Sequence, residues 1–233
     1  SYKIILDHYY QHDKSKNLHG HLFALTANVM WGLMAPIGKS ALQEFSALSV
    51  TTFRMIGAAA AFWMLSIFCK QEHVNHRDML KIFFASLFAL VFNQGIFIFG
   101  LSMTSPIDAS IVTTTLPIVT MIVAAIYLKE PITNKKVLGI FVGAMGALIL
   151  ILSSQAASGG NRNLIGDLLC LVAQISFSIY LTVFKGLSQQ YSAVTINKWM
   201  FVYASICYIP FSYYDISTIQ WASISTVAII QVL

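Results

Sequence analysis

Charge is what this chain has least of. Asp, Glu, Lys and Arg make up 10% of its 233 residues while 57% are hydrophobic, so there is too little polar surface to cover a water-soluble globule. Acidic residues are scarcer than basic ones, nine against fourteen, and they fall one to a loop or helix start, which argues against a clustered acid-base centre. Cysteine is also sparse. Cys69, Cys170 and Cys207 lie in or at the end of apolar runs, which gives no disulfide framework and reads as small buried hydrophobes. No Gly-rich phosphate loop follows a strand, and neither His-Glu-x-x-His nor a nucleophile elbow occurs. The histidines at 8, 12, 19, 21, 73 and 76 are loosely spaced and lack a cysteine partner or an enclosing motif. No metal or cofactor is therefore expected.

What is present is a series of long uncharged runs. Those from Ala109 to Leu128 and from Val137 to Asn161 contain no charge, and each is long enough to cross a hydrocarbon core of about 30 Å as a helix. Charges and turn residues place helices near 20–42, 46–69, 79–101, 106–128, 134–153, 164–186 and 192–214, with an eighth beginning near Gln220. The fold class is all-α, a polytopic membrane protein. Residues 1–17 form a polar and aromatic N-terminal segment, and the apolar run after it is too long for a signal sequence, so it is a retained first span.

Basic residues sort by side. With the N-terminus in the cytoplasm, Lys3, Lys14, Lys16, Lys70, Arg77, Lys81, Lys129, Lys135, Lys136, Lys185 and Lys198 gather on one face, against Lys39, Arg54 and Arg162 on the other. Eleven against three fixes that orientation under the positive-inside rule. The same distribution accounts for the net charge of +5 without nucleic acid, since no basic patch stands clear of a span.

An internal repeat lies beneath this pattern. Sliding the chain 146 positions matches Leu18, Gly20, Leu22, Leu25, Ala27, Lys39, Gln43, Ser46 and Ala47 to Leu164, Gly166, Leu168, Leu171, Ala173, Lys185, Gln189, Ser192 and Ala193. Helix six therefore restarts helix one. Five helices separate the two starts, so the second copy enters the membrane from the opposite face, as in alternating-access transporters. The expected organisation is a first repeat over 18–153, an external linker over 154–163 and a second repeat from 164 to 233. Two five-helix units would make ten helices, of which this chain carries about seven and a half, so a longer parent chain is expected.

The stretch Leu128-Lys129-Glu130-Pro131-Ile132, followed by Gly139 and the run Gly143-Ala144-Met145-Gly146-Ala147-Leu148-Ile149, resembles the end of helix four and all of helix five in EamA-type members of the drug/metabolite transporter superfamily. Trp31-Gly32, Phe53-Arg54 and Leu116-Pro117 fall where that family carries similar residues, and the similarity covers roughly residues 18–233. The resemblance implies a transporter that exports a small metabolite such as an amino acid or related compound across the cell's inner or plasma membrane. Within the hinge, Lys129 suits a helix C-terminus, Pro131 ends the helix, and Thr133 or Asn134 can cap the next.

Polar groups at midspan are the candidates for solute contact. Asn28 and Trp31 share one face of helix one, and Gln174 and Phe177 occupy the equivalent positions of helix six. Asn93 and Gln94 sit at the centre of helix three, and Thr113, Thr114 and Thr115 precede Pro117 in helix four. Pro117 deprives the Thr113 carbonyl of its donor, and Pro36 does the same to Gly32. The expected substrate-binding set is Asn28, Trp31, Asn93, Gln94, Thr114 and Gln174; the alternative for the amides is helix-to-helix bonding. Asp108 reads as part of a capping box opened by Ser105 and Pro106, Asp167 as a first-turn residue, and Glu130 as a structural hinge. Arg54, a turn or two inside helix two, is placed to snorkel outward, bind carbonyls or meet an anion.

A transporter, not an enzyme, is the reading these features favour. Its expected partners are a small-molecule solute and membrane lipid, with homodimerisation left open and nucleic acid excluded. The rival readings are a seven-helix receptor or sensor, which should lack the repeat, and an intramembrane lipid-modifying enzyme, which should cluster Asp or His at the interface.

Overall fold

The computed structural model describes residues 2–129, 133, 135, 137–143, 145, 146, 149, 164–221 and 224–232, and side chains from His21 onward with Ala24 excepted. Every regular element among them is helical. In chain order we label α1 (Tyr2–Ala41), α2 (Ala47–Ile67), α3 (His76–Met103), α4 (Pro106–Leu128), α5 (137–143), α6 (Leu164–Val183), α7 (Ala193–Ser217) and α8 (Thr226–Val232). A short helix, Lys185–Gln190, joins α6 to α7. Of these, α2, α3, α4 and α6 are long and apolar enough to cross a membrane. The first helix differs from expectation: it runs back unbroken to Tyr2 rather than starting near residue 20.

Helix starts follow the sequence closely. Ser46, Ser105 and Ser192 each hold an extended backbone and accept a hydrogen bond from the N–H three residues on, at Ser49, Asp108 and Thr195. Ser105 also donates to the Asp108 carboxylate at 2.8 Å, and Pro106 takes the first turn, so the expected capping arrangement is present. At the other end of α4, Lys129 turns left-handed with φ 53°. Glu130, Pro131, Ile132 and Asn134, the rest of the hinge, lie outside the described residues.

Lys39 closes the exposed end of α3, donating to the carbonyls of Leu101, Ser102 and Thr104 at 2.8, 3.1 and 2.7 Å. A cation there satisfies acceptors that the helix leaves unpaired. Asp167 serves the same junction, accepting from the Thr104 hydroxyl at 2.6 Å.

Within α3, residues Leu87–Gly95 are wound as a π-helix. Within α4, the helix opens at Thr114–Thr115 just ahead of Pro117, as the missing proline N–H requires. Buried side chains form two clusters. One, around Phe45, Val50, Phe97, Leu101 and Cys170, lies toward the start of α2; the other, around Met55, Ile82, Ile196 and Met200, lies toward its end. Cys170 is buried as expected, whereas Cys69 is exposed because α2 has already ended before it.

Residues 146 apart in the sequence take part at both ends of the contact between α2 and α7. Ser46, which starts α2, donates to Asp215 near the end of α7 at 2.5 Å. Its equivalent Ser192, which starts α7, donates to Glu72 just past the end of α2 at 3.0 Å, with its backbone N–H on the same oxygen at 2.9 Å. The two helices therefore run antiparallel, with a serine–carboxylate clasp at each end. The Glu72 carboxyl is held below its usual range first by the Thr195 hydroxyl and then by the Ser192 N–H, so it is charged at neutral pH. Phe45 packs on Trp221 with ring centroids 6.5 Å apart, and at the equivalent place on the other face Tyr191 donates to Asp78 at 2.8 Å.

Candidate solute site

The opened turn of α4 meets some of the midspan polar residues on one side of α1. Asn28, Trp31, Gly32, Ser110, Thr113, Thr114 and Pro117 line a cavity of about 570 Å³ between α1 and the opened turn of α4. Gly32 and Thr113, whose carbonyls lack the N–H that Pro36 and Pro117 cannot supply, are both among them. The hydroxyls of Thr113 and Thr114 donate back to Ser110 and Ile111 at 2.7 Å each, which leaves their oxygens able to accept.

Trp31 forms the wall toward the second repeat. It meets Phe177 edge to face, ring centroids 5.5 Å apart at 73°. These two residues are 146 apart, the offset at which the sequence recurs.

The structure does not gather all six expected residues around that cavity. Asn28, Trp31 and Thr114 line it, whereas Gln94 lines a second cavity of about 350 Å³ on the other side of α1. Met34 borders both. Asn93 is 4% exposed and donates to the Ala173 carbonyl at 2.8 Å while its own oxygen accepts from Gln94 at 3.2 Å. It joins α3 to α6, the helix-to-helix alternative for an amide. Gln174 is 2% exposed, and its side-chain oxygen makes no hydrogen bond. A buried acceptor left bare costs about 1–3 kcal/mol, so this group is unsatisfied in the conformation seen.

Sequence reasoning missed Ser110, which a polar residue one turn before Thr113 and Thr114 would have suggested, and Gln231 in the second cavity. It also missed the π-helix beneath Asn93 and Gln94, for which the sequence carries no readable signal. π-segments recur at functional sites because they displace side chains from their α-helical register.

Comparison with known proteins follows the same lines. The model of the EamA-like transporter family matches residues 18–152, more than half of the chain. An uncharacterized transporter of Archaeoglobus fulgidus is 28% identical over 190 residues, 82% of this chain and 66% of that protein. The uncharacterized transporters YetK and YyaM of Bacillus subtilis are 21% and 27% identical, covering 89% and 71% of this chain. The chain thus spans between 55% and 66% of the length of these three relatives. No solved structure matches. With the family match and the apolar helices in agreement, this chain belongs to the EamA-like transporter family of the drug/metabolite transporter superfamily, and it is a multi-pass membrane protein.

Proposed function

We propose that the protein exports a small metabolite, an amino acid or a related compound, by alternating access between two inverted halves in the cell's inner or plasma membrane, its N-terminus in the cytoplasm. The observation that carries this reading is the contact of Trp31 with its repeat equivalent Phe177 beside a largely apolar cavity that Asn28, Thr113 and Thr114 also line. A solute bound next to the axis between two halves can be offered to either face by rocking one half against the other. The clasps Ser46–Asp215 and Ser192–Glu72 lie at opposite ends of the α2–α7 pair, where such rocking would open one and keep the other.

Each residue has a distinct task. Trp31 supplies an apolar wall, Asn28 and Thr114 orient polar groups of the solute, and Gln94 does so from the neighbouring cavity. Asn93 holds Gln94 in place through the 3.2 Å bond between their amides. The bare oxygen of Gln174 gains a partner when the halves move. None of these groups is asked to make or break a covalent bond.

Efflux of radiolabelled amino acids from preloaded cells tests the reading. Trp31→Ala is expected to lower the initial rate about tenfold or more, equivalent to about 1.4 kcal/mol, while Trp31→Phe retains most of it. If Asn28→Ala and Gln174→Ala both transport like the unsubstituted protein when correctly inserted, the site is elsewhere.

A further inference from the structure

Among the described residues, three cations within or beside the spans are engaged by named neighbours. Lys39 holds three carbonyls, Lys81 pairs with Asp78 at 2.7 Å, and Lys198 lies 5.2 Å over the Trp63 ring and 3.4 Å from the Gln71 oxygen. Arg54 has no hydrogen bond or ion pair among the described residues. It sits about 10 Å along α2 from Ala47, well inside the span. An arginine at such depth is costly to insert, which makes an unengaged one a marker of function.

Arg54 lines the 350 Å³ cavity, and no acidic residue lines it. Gln94 and Gln231 contribute amides, and Met30, Met34 and Met55 contribute thioether walls that adapt to different apolar shapes. We propose that this cavity is a binding site for small monocarboxylates with an apolar tail. The carboxylate takes both N–H groups of the planar guanidinium fork, the amides meet any further polar group, and the tail lies among the methionines. A single cation balances a single negative charge, which selects a monocarboxylate over a phosphate monoester carrying nearly two charges at neutral pH. The second source of a monoanion in a membrane is the phosphodiester of a lipid headgroup, and acid binding in the presence of that lipid separates the two.

The site deepens the transport reading by naming a class of solute, yet its binding chemistry can be measured without transport. The protein in phosphatidylcholine nanodiscs is titrated with radiolabelled phenylacetate, 4-methylpentanoate and L-leucine, each in competition with its own amide. At least one acid is expected to bind saturably, with its amide about tenfold weaker or more, because hydrogen bonds to an ionised carboxylate are markedly stronger than those to a neutral amide. Arg54→Gln should bring the acid down to the affinity of the amide, and Arg54→Lys should fall between. Equal affinity for acid and amide, full affinity in Arg54→Gln, or no saturable binding by any of the three acids overturns the proposal; the last is the outcome expected if lipid phosphate occupies the site. The acid–amide comparison uses the unsubstituted protein, so it stands even if an Arg54 variant fails to fold. Acid selectivity without amino-acid efflux would sink the transport reading and leave this site intact, whereas efflux without acid selectivity would do the reverse.

Discussion

Gly100→Leu and Gly166→Leu are each expected to cost about 3 kcal/mol, the upper end of the overpacking range. The two glycines press backbone against backbone where α3 crosses α6: a methyl group on Gly100 would lie 2.8 Å from the Gly166 carbonyl oxygen, and one on Gly166 would lie 2.8 Å from the Gly100 carbonyl oxygen. Backbone cannot swing aside as a side chain does, so either substitution must push the helices apart. Cys170 lies in the same contact, 3.0 Å from where the Gly100 methyl would be. Separating these helices would also loosen the Asn93–Ala173 bond and the Thr104–Asp167 bond that tie α3 to α6. Unfolding in mixed micelles on SDS titration measures the loss. Gly32→Ala is the control, because a methyl there meets open space and should cost no stability. Equal stability of Gly100→Leu and Gly32→Ala would contradict the packing described.

The second large effect is expected at Gly95, the last residue of the π-helix. A side chain there would collide with the Tyr208 hydroxyl, and the Tyr208 ring carbon Cζ would be 2.8 Å away. Tyr208 is 8% exposed, and its hydroxyl donates to the Val91 carbonyl within the π-helix. The wide π turn and the glycine together make room for a tyrosine from α7 to enter α3. Gly95→Ala should therefore cost about 2 kcal/mol by expelling the ring, and Tyr208→Phe about 1 kcal/mol through the lost hydrogen bond. The two losses should not add. Removing the hydroxyl relieves much of the collision, so the double variant should be more stable than the sum of the singles by about 1 kcal/mol. Strict additivity on the same SDS titration would mean that the two residues do not meet.

Much of the fold was legible because the physics behind it is local. The capping serine at 105 and the break before Pro117 depend on a few neighbouring residues and a missing N–H, and each stands where the sequence places it. What could not be read is which of two amides side by side faces a cavity. Asn93 and Gln94 are adjacent, yet the π winding turns one into the α3–α6 contact and leaves the other beside Arg54. Of Gly139, Gly143 and Gly146, only Gly143 comes close to a neighbour among the described residues, Ile118 at 3.0 Å from an added methyl. A small residue permits close approach without requiring it.

The antiparallel α2–α7 pair, the paired serine clasps and the Trp31–Phe177 contact all follow if the two repeats enter the membrane from opposite faces. Gln43 and Gln189 are repeat equivalents, and both are exposed at helix ends, so they report that relation directly. Single cysteines at these positions, in a background with Cys69, Cys170 and Cys207 replaced, are labelled with a membrane-impermeant maleimide on intact cells and again after permeabilisation. Inverted repeats predict that Gln43→Cys reacts on intact cells and Gln189→Cys only once the inner face is opened. Labelling of both from the same side would contradict the inverted arrangement, and with it the two-sided access on which the transport mechanism rests.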